Sequence, residues 1–138
     1  MVTPTLPELL QALVVNHGSD LHITTDTPPQ IRVNGRLTPL DLPLLGPADT
    51  KALAYSVLTD QQKKRFEESL ELDFSFGIRG LARFRCNVFN QRGAVAAVYR
   101  VIPEQIKGFN ELGLPAVLTR LAERPRGLVL VTGPTGSG

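Results

Sequence analysis

A single cysteine, Cys86, stands among 138 residues, so no disulfide can form within the chain and a reducing compartment fits. No apolar run approaches the length that spans a bilayer. The opening MVTPTLPELLQALVV lacks the basic start and the small-residue cleavage site of a secretory signal, so a cytoplasmic protein is expected. His17 and His22 have no cysteine or carboxylate at metal-ligand spacing, and no metal site is expected. Charge of one sign is scarce too: the formal net charge is +2, which by itself does not point to nucleic acid. Internal repeats and low-complexity segments are missing. What remains, 42% hydrophobic and 20% charged residues, belongs to a soluble globular protein with a core of its own.

Thr5 and Glu8 form a T-x-x-E capping box around Pro7. Leu6, Leu9, Leu10, Leu13 and Val14 then share one helical face, and Gly18 is a natural stop. Residues 21–24 predict a short strand. Residues 30–33 and 36–40 flank Asn34-Gly35, the strongest short hairpin signal. A helix is predicted over 48–58, and Thr59-x-x-Gln62 opens a charged helix reaching about Leu70. From Leu72 the period becomes two. Residues 72–78, 82–88 and 94–102 read as an antiparallel meander with turns at 77–80 and 91–93. The resulting division is an α+β domain over 1–103, a linker over 104–113, and over 114–138 the opening helix and strand of a second domain.

The sharpest chemical signal closes the chain. The apolar run 127–132, patterned like a strand buried on both faces of a parallel sheet, leads into Gly133-Pro134-Thr135-Gly136-Ser137-Gly138. These residues fill six of the eight positions of the P-loop G-x-x-x-x-G-K-[ST], whose backbone N–H groups cradle a phosphate. The lysine that would reach the β and γ phosphates, and the hydroxyl that would hold Mg²⁺, are not among the 138 residues. A strand of this kind without its partners is expected to be exposed, disordered or paired with another chain.

The second signal is a stretch with no acid. Arg79, Arg83, Arg85, Arg92 and Arg100 lie between Ser75 and Pro103, where no Asp or Glu occurs. Arg83 and Arg85 share a strand face, and Arg100 interrupts an apolar strand, where a lone buried charge would be costly. Either an acid from elsewhere in the fold pairs with Arg100, or these groups meet an external anion, a nucleotide phosphate or nucleic acid. Guanidinium groups tied up internally by carboxylates would undo the phosphate role and the motor reading built on it. Phe89 is the only aromatic on the exposed face of this stretch, which weakens single-strand binding. Asp20 and Asp73 read as turn and solvent-facing residues, Cys86 as a small core residue, and His22 as the donor or acceptor of a local hydrogen bond.

In order and spacing the chain resembles the PilT family of type IV pilus retraction ATPases, within the larger group of type II secretion and type IV pilus ATPases. The resemblance rests on GSDLHI at 18–23, PPQIRVNG at 28–35, LDFSF at 72–76, ARFRCN at 82–87, FNQRG at 89–93 and PRGLVLVTGPTGSG at 125–138. It implies a PAS-like amino-terminal domain followed by a RecA-like ATPase domain, cut short within the phosphate loop. It also implies an ATP- and Mg²⁺-dependent homo-hexameric motor at the inner membrane that works through a platform protein, with no nucleic acid partner. By motif position the phosphate-contacting arginines are Arg85 and Arg100, with Arg83 a weaker candidate, and residues 133–138 bind nucleotide. Seventeen residues before Gly18 favour the retraction type, without excluding the PilU paralogues. The 138 residues alone are expected to be inactive, without bound ATP or Mg²⁺, and monomeric or weakly associated. A PAS-like ligand-sensing or protein-interaction module is the alternative, and nucleic-acid binding through the arginine face a lesser one.

Overall fold

The computed structural model describes residues 4–103 and 105–133, and Pro134–Gly138 of the expected phosphate loop lie outside the described residues. Two compact units divide between residues 104 and 105.

The first unit runs α1 (Leu6–Val15), β1 (Asp20–Ile23), β2 (Gln30–Val33), β3 (Arg36–Pro39), α2 (Pro47–Tyr55), α3 (Asp60–Ser69), β4 (Glu71–Ile78), β5 (Ala82–Gln91) and β6 (Ala94–Ile102). Its six strands form one sheet in the order β3-β2-β1-β6-β5-β4, with every neighbour antiparallel. Local chemistry sets the hairpins. Asn34 and Gly35 (φ 49° and 79°) turn β2 into β3, and Arg92 and Gly93 (φ 52° and 78°) turn β5 into β6. Positive φ at both central positions is what a two-residue turn needs to match strand twist. Both expected capping boxes form: Thr5 N–H donates to Glu8 Oε2 at 2.7 Å, and Thr59 N–H donates to Gln62 Oε1 at 2.9 Å.

Alternation along the strands makes the sheet one-sided. In β5, Ala82, Phe84, Cys86 and Val88 are buried, while Arg83 and Arg85 are exposed. Leu6, Leu9, Leu10 and Leu13 of α1, Leu53 and Ala54 of α2 and Phe66 of α3 join Leu21, Ile23, Phe84, Val88 and Tyr99 of the sheet in one core. Phe76 bridges Phe84 and Tyr99, its ring centroid 5.7 and 6.2 Å from theirs. The opposite face carries Asp20 and His22 of β1, Glu71, Asp73 and Ser75 of β4, Arg83, Arg85 and Asn87 of β5, and Arg100 of β6 among the apolar Ala96, Val98 and Ile102.

The end of α1 differs from expectation in its cause. The left-handed residue is His17 (φ 53°), while Gly18 is needed for a close approach. A Cβ on Gly18 would lie 2.5 Å from Leu13 Cδ1 and 3.0 Å from the carbonyl oxygen of Arg32. That carbonyl is fixed, because it accepts the N–H of Ser19 at 2.8 Å as the chain enters β1. Gly18→Ala is therefore expected to cost about 1–3 kcal/mol, read by urea unfolding. An unchanged midpoint would show that the α1–β1 corner gives way freely.

The second unit contains α4 (Val117–Ala122). Residues 127–133 form no strand among the described residues, and Leu128, Val129, Leu130 and Val131 are exposed. That matches the exposure expected of a parallel-sheet strand without the neighbours that would satisfy its backbone groups.

Candidate functional site

The register of the open sheet face brings the sequence-selected arginines together. Asp20 on β1 is paired across the sheet with Arg32 of β2 on one side and with Arg100 of β6 on the other. Arg100 in turn stands directly opposite Arg85 of β5. One row across the sheet thus reads Arg32, Asp20, Arg100, Arg85. Like charges directly opposite one another destabilise a sheet unless an anion compensates them.

Two aspartates supply that compensation, in different ways. Asp20 Oδ1 accepts Arg100 Nε at 2.8 Å, Oδ2 accepts Ser19 Oγ at 2.7 Å, and Arg32 Nε lies 3.5 Å from Oδ2. The Asp20 side chain is only 5% exposed, whereas that of Arg100 is 70% exposed. Burial raises the Asp20 pKa, but the hydrogen bonds from Ser19 and Arg100 and the charge of Arg100 outweigh it, leaving the carboxyl below its ordinary value. Asp73 of β4 takes Arg85 side-on, with Nε at 3.2 Å from Oδ1 and Nη2 at 2.8 Å from Oδ2. Both partners are largely in water, at 67% for Arg85 and 47% for Asp73. The hydrogen bond from Arg85 holds the Asp73 carboxyl below its ordinary range, and the same contact raises the guanidinium pKa further.

Asp20 is thus not the turn residue the sequence suggested. It sits buried inside a strand, between Arg32 of the next strand and Arg100, 80 residues away. Asp73 faces solvent as expected, yet it is engaged. The alternative of an internal acid for Arg100 also holds, and it extends to Arg85. The engagement is partial. A guanidinium carries five N–H donors. Among the described residues Arg100 uses Nε alone, and Arg85 leaves Nη1 without a partner. Asp20, Asp73, Arg85, Asn87, Val98 and Arg100 line a hollow of about 210 Å³, room for a phosphate-sized anion.

Arg83 lies on the same face, one pair further along opposite Gly77 and Ile102, and makes no ion pair among the described residues. Gly133 is described and exposed, while the other five expected nucleotide-binding residues, Pro134 to Gly138, fall outside the described residues. His22 departs from expectation. Its Nε2 is buried with no hydrogen-bond partner among the described residues. Burial, then the charge of Arg32, lowers its pKa, with Asp20 opposing. Cys86 is a core residue as expected, its thiol pushed up to about 12 chiefly by burial.

No family model matches the chain. It is 48% identical over 133 residues to the type IV pilus retraction ATPase PilT of Pseudomonas aeruginosa, covering 96% of this chain and 39% of that protein. It is 44% identical over 110 residues to a twitching motility protein of Neisseria gonorrhoeae, covering 80% and 29%. The crystal structure of the pilus retraction motor PilT with bound ADP superposes with a TM-score of 0.83 at 46% identity, over 99% of this chain and 40% of that one. The chain is a homologue of PilT over nearly its whole length. It spans about two fifths of the Pseudomonas relative and of the solved motor. The expected α+β class, an antiparallel sheet with helices, is the fold it shares with that PilT structure. Among the described residues no helix is long and apolar enough to cross a membrane.

Proposed function

We propose that the chain is the amino-terminal part of an ATP-hydrolysing motor that retracts type IV pili, and that Arg85 and Arg100 are the groups by which it touches nucleotide phosphate. The observation carrying this reading is the cross-strand placement of Arg85 against Arg100 on an open sheet face, with unused donors on both. The hollow between them suits a phosphate in size and donor type, since guanidinium groups match phosphate oxygens geometrically. In the complete ring each pair meets a triphosphate held by a P-loop, and its fixed donors stabilise charge that builds on the transferring phosphoryl group. Residues 133–138 contribute the first six of that loop's eight positions, and Arg83 adds a weaker, longer-range attraction.

Mg²⁺ has no fitting donors in the described hollow, because both carboxylates are already engaged by arginines. Its ligand belongs to the hydroxyl position of the P-loop beyond Gly138. The 138 residues therefore do not hydrolyse ATP alone. The motor assembles as a homo-hexamer on the cytoplasmic side of the inner membrane and acts on a platform protein of the pilus. Nucleic acid is no part of this reading, since the formal net charge is only +2 and Phe89 alone interleaves with the arginines as an aromatic. The retraction type is favoured over its paralogue by the identity to PilT.

Extending the chain along its own gene tests this. A lysine followed by Ser or Thr is expected directly after Gly138, and the extended protein should show Mg²⁺-dependent ATPase activity and a six-subunit mass by light scattering. A different pair of residues, or no turnover with Mg²⁺-ATP, would remove the motor assignment.

A further inference from the structure

The two aspartates of the arginine row are not equivalent. Asp20 cannot leave Arg100 without stranding a carboxylate that is 5% exposed, and Ser19 and Arg32 hold it from other sides. Asp73 can leave Arg85 at little cost, because it is 47% exposed and water can replace the lost contact. Arg100 spends one donor on its partner, whereas Arg85 spends an entire side-on edge, Nε and Nη2 together. That edge is the one whose paired N–H groups match two oxygens of a carboxylate or of a phosphate alike.

Resting on the phosphate reading above, we infer that Asp73 is an internal stand-in for the phosphate at Arg85, occupying its side-on edge in the unliganded chain and giving it up when the anion arrives, while Asp20 stays on Arg100. Asp73 then sets the threshold for phosphate entry. The opposed charges of Arg85 and Arg100 are never left uncompensated, because one anion leaves as the other enters. Weakly held anions such as single carboxylates have to compete with an intramolecular carboxylate already in place. A triphosphate, with more charge and more oxygens, outcompetes it.

The 138-residue chain and sodium tripolyphosphate test the exchange at low ionic strength, with binding followed through the arginine Nε–H resonances in ¹H–¹⁵N spectra. Asp73→Asn is expected to tighten binding about threefold to fivefold, the upper range for release of an exposed ion pair. Two controls separate exchange from simple loss of negative charge. Glu71→Gln removes an equal charge from the same face of β4, outside the arginine hollow, and should tighten binding less than twofold. In an Arg85→Ala background the gain from Asp73→Asn should vanish. A gain no larger than that of Glu71→Gln, or one that persists without Arg85, would overturn the exchange and leave the phosphate reading standing. Binding that is unaltered by both Arg85→Ala and Arg100→Ala, or absent in the unmodified chain, would overturn the phosphate reading itself and the exchange with it.

Discussion

Arg100→Ala is expected to lower the turnover of the extended, ATP-hydrolysing protein by about 10³ or more while the protein stays folded. A thousandfold loss corresponds to about 4 kcal/mol of transition-state stabilisation, more than any ground-state contact of a surface arginine supplies. The expectation rests on how Arg100 is held. Its side chain is 70% exposed, so its removal opens no cavity, but it leaves the buried Asp20 carboxylate to Ser19 and Arg32 alone and costs some stability, which is why turnover is read on protein shown to be folded. Its Nε is fixed by a buried carboxylate, so its terminal nitrogens are pre-oriented and pay little entropy when charge develops before them. The fall should appear in kcat more than in KM, because the charge these groups meet is largest in the transition state. Arg100→Lys keeps the charge and loses the fork, and should recover only part of the rate. Arg83→Ala, at the margin of the hollow, should lie within a few-fold of the unmodified protein. Unchanged turnover in a folded Arg100→Ala protein would end its assigned role.

The arginines were legible in the sequence because the stretch from Ser75 to Pro103 contains five of them and no acid. Their partners were not, since both acids lie outside that stretch. Asp73 comes just before it, and the β4–β5 alternation already places it on the face of Arg85, so this pair could have been found by carrying the hairpin register two residues further. Asp20 is another matter. It meets Arg100 across 80 residues, through a β1–β6 pairing that no turn specifies, because chain-distant strands pair by topology rather than by local signal. Placed after Gly18-Ser19, Asp20 carries the composition of a turn, and that local signal is overridden by the sheet. The hairpins and caps were readable for the opposite reason: Asn34-Gly35 and Thr59-x-x-Gln62 act within four residues. The run 127–132 shows the limit of pattern alone. Its residues favour a buried strand, but a parallel strand exists only with its neighbours.

Because Asp20 joins the arginine row to the fold, its removal should be felt in stability before activity. Asp20→Ala is expected to lower the unfolding free energy of the 138-residue chain by about 2 kcal/mol at pH 7. This is less than the loss of a fully buried pair, since Arg100 regains water when freed. The pH dependence has a definite sign. The folded-state pKa of Asp20 is depressed, so the stability it confers is fully present above the unfolded carboxyl value of about 3.9 and is lost as pH falls through the lower folded value. Asp20→Asn, which keeps the shape, should therefore flatten the acid limb of the stability profile below about pH 4. His22 provides an independent reading. Burial and the charges of Arg32 and Arg100 depress its pKa, and Asp20 is the one neighbour that raises it. Removing that carboxylate should shift the His22 titration, followed by NMR, further down. A general loosening of the structure would hydrate the ring and shift it up. An acid limb identical to that of the unmodified chain, with His22 unmoved, would mean that Asp20 carries no charge-dependent share of the fold.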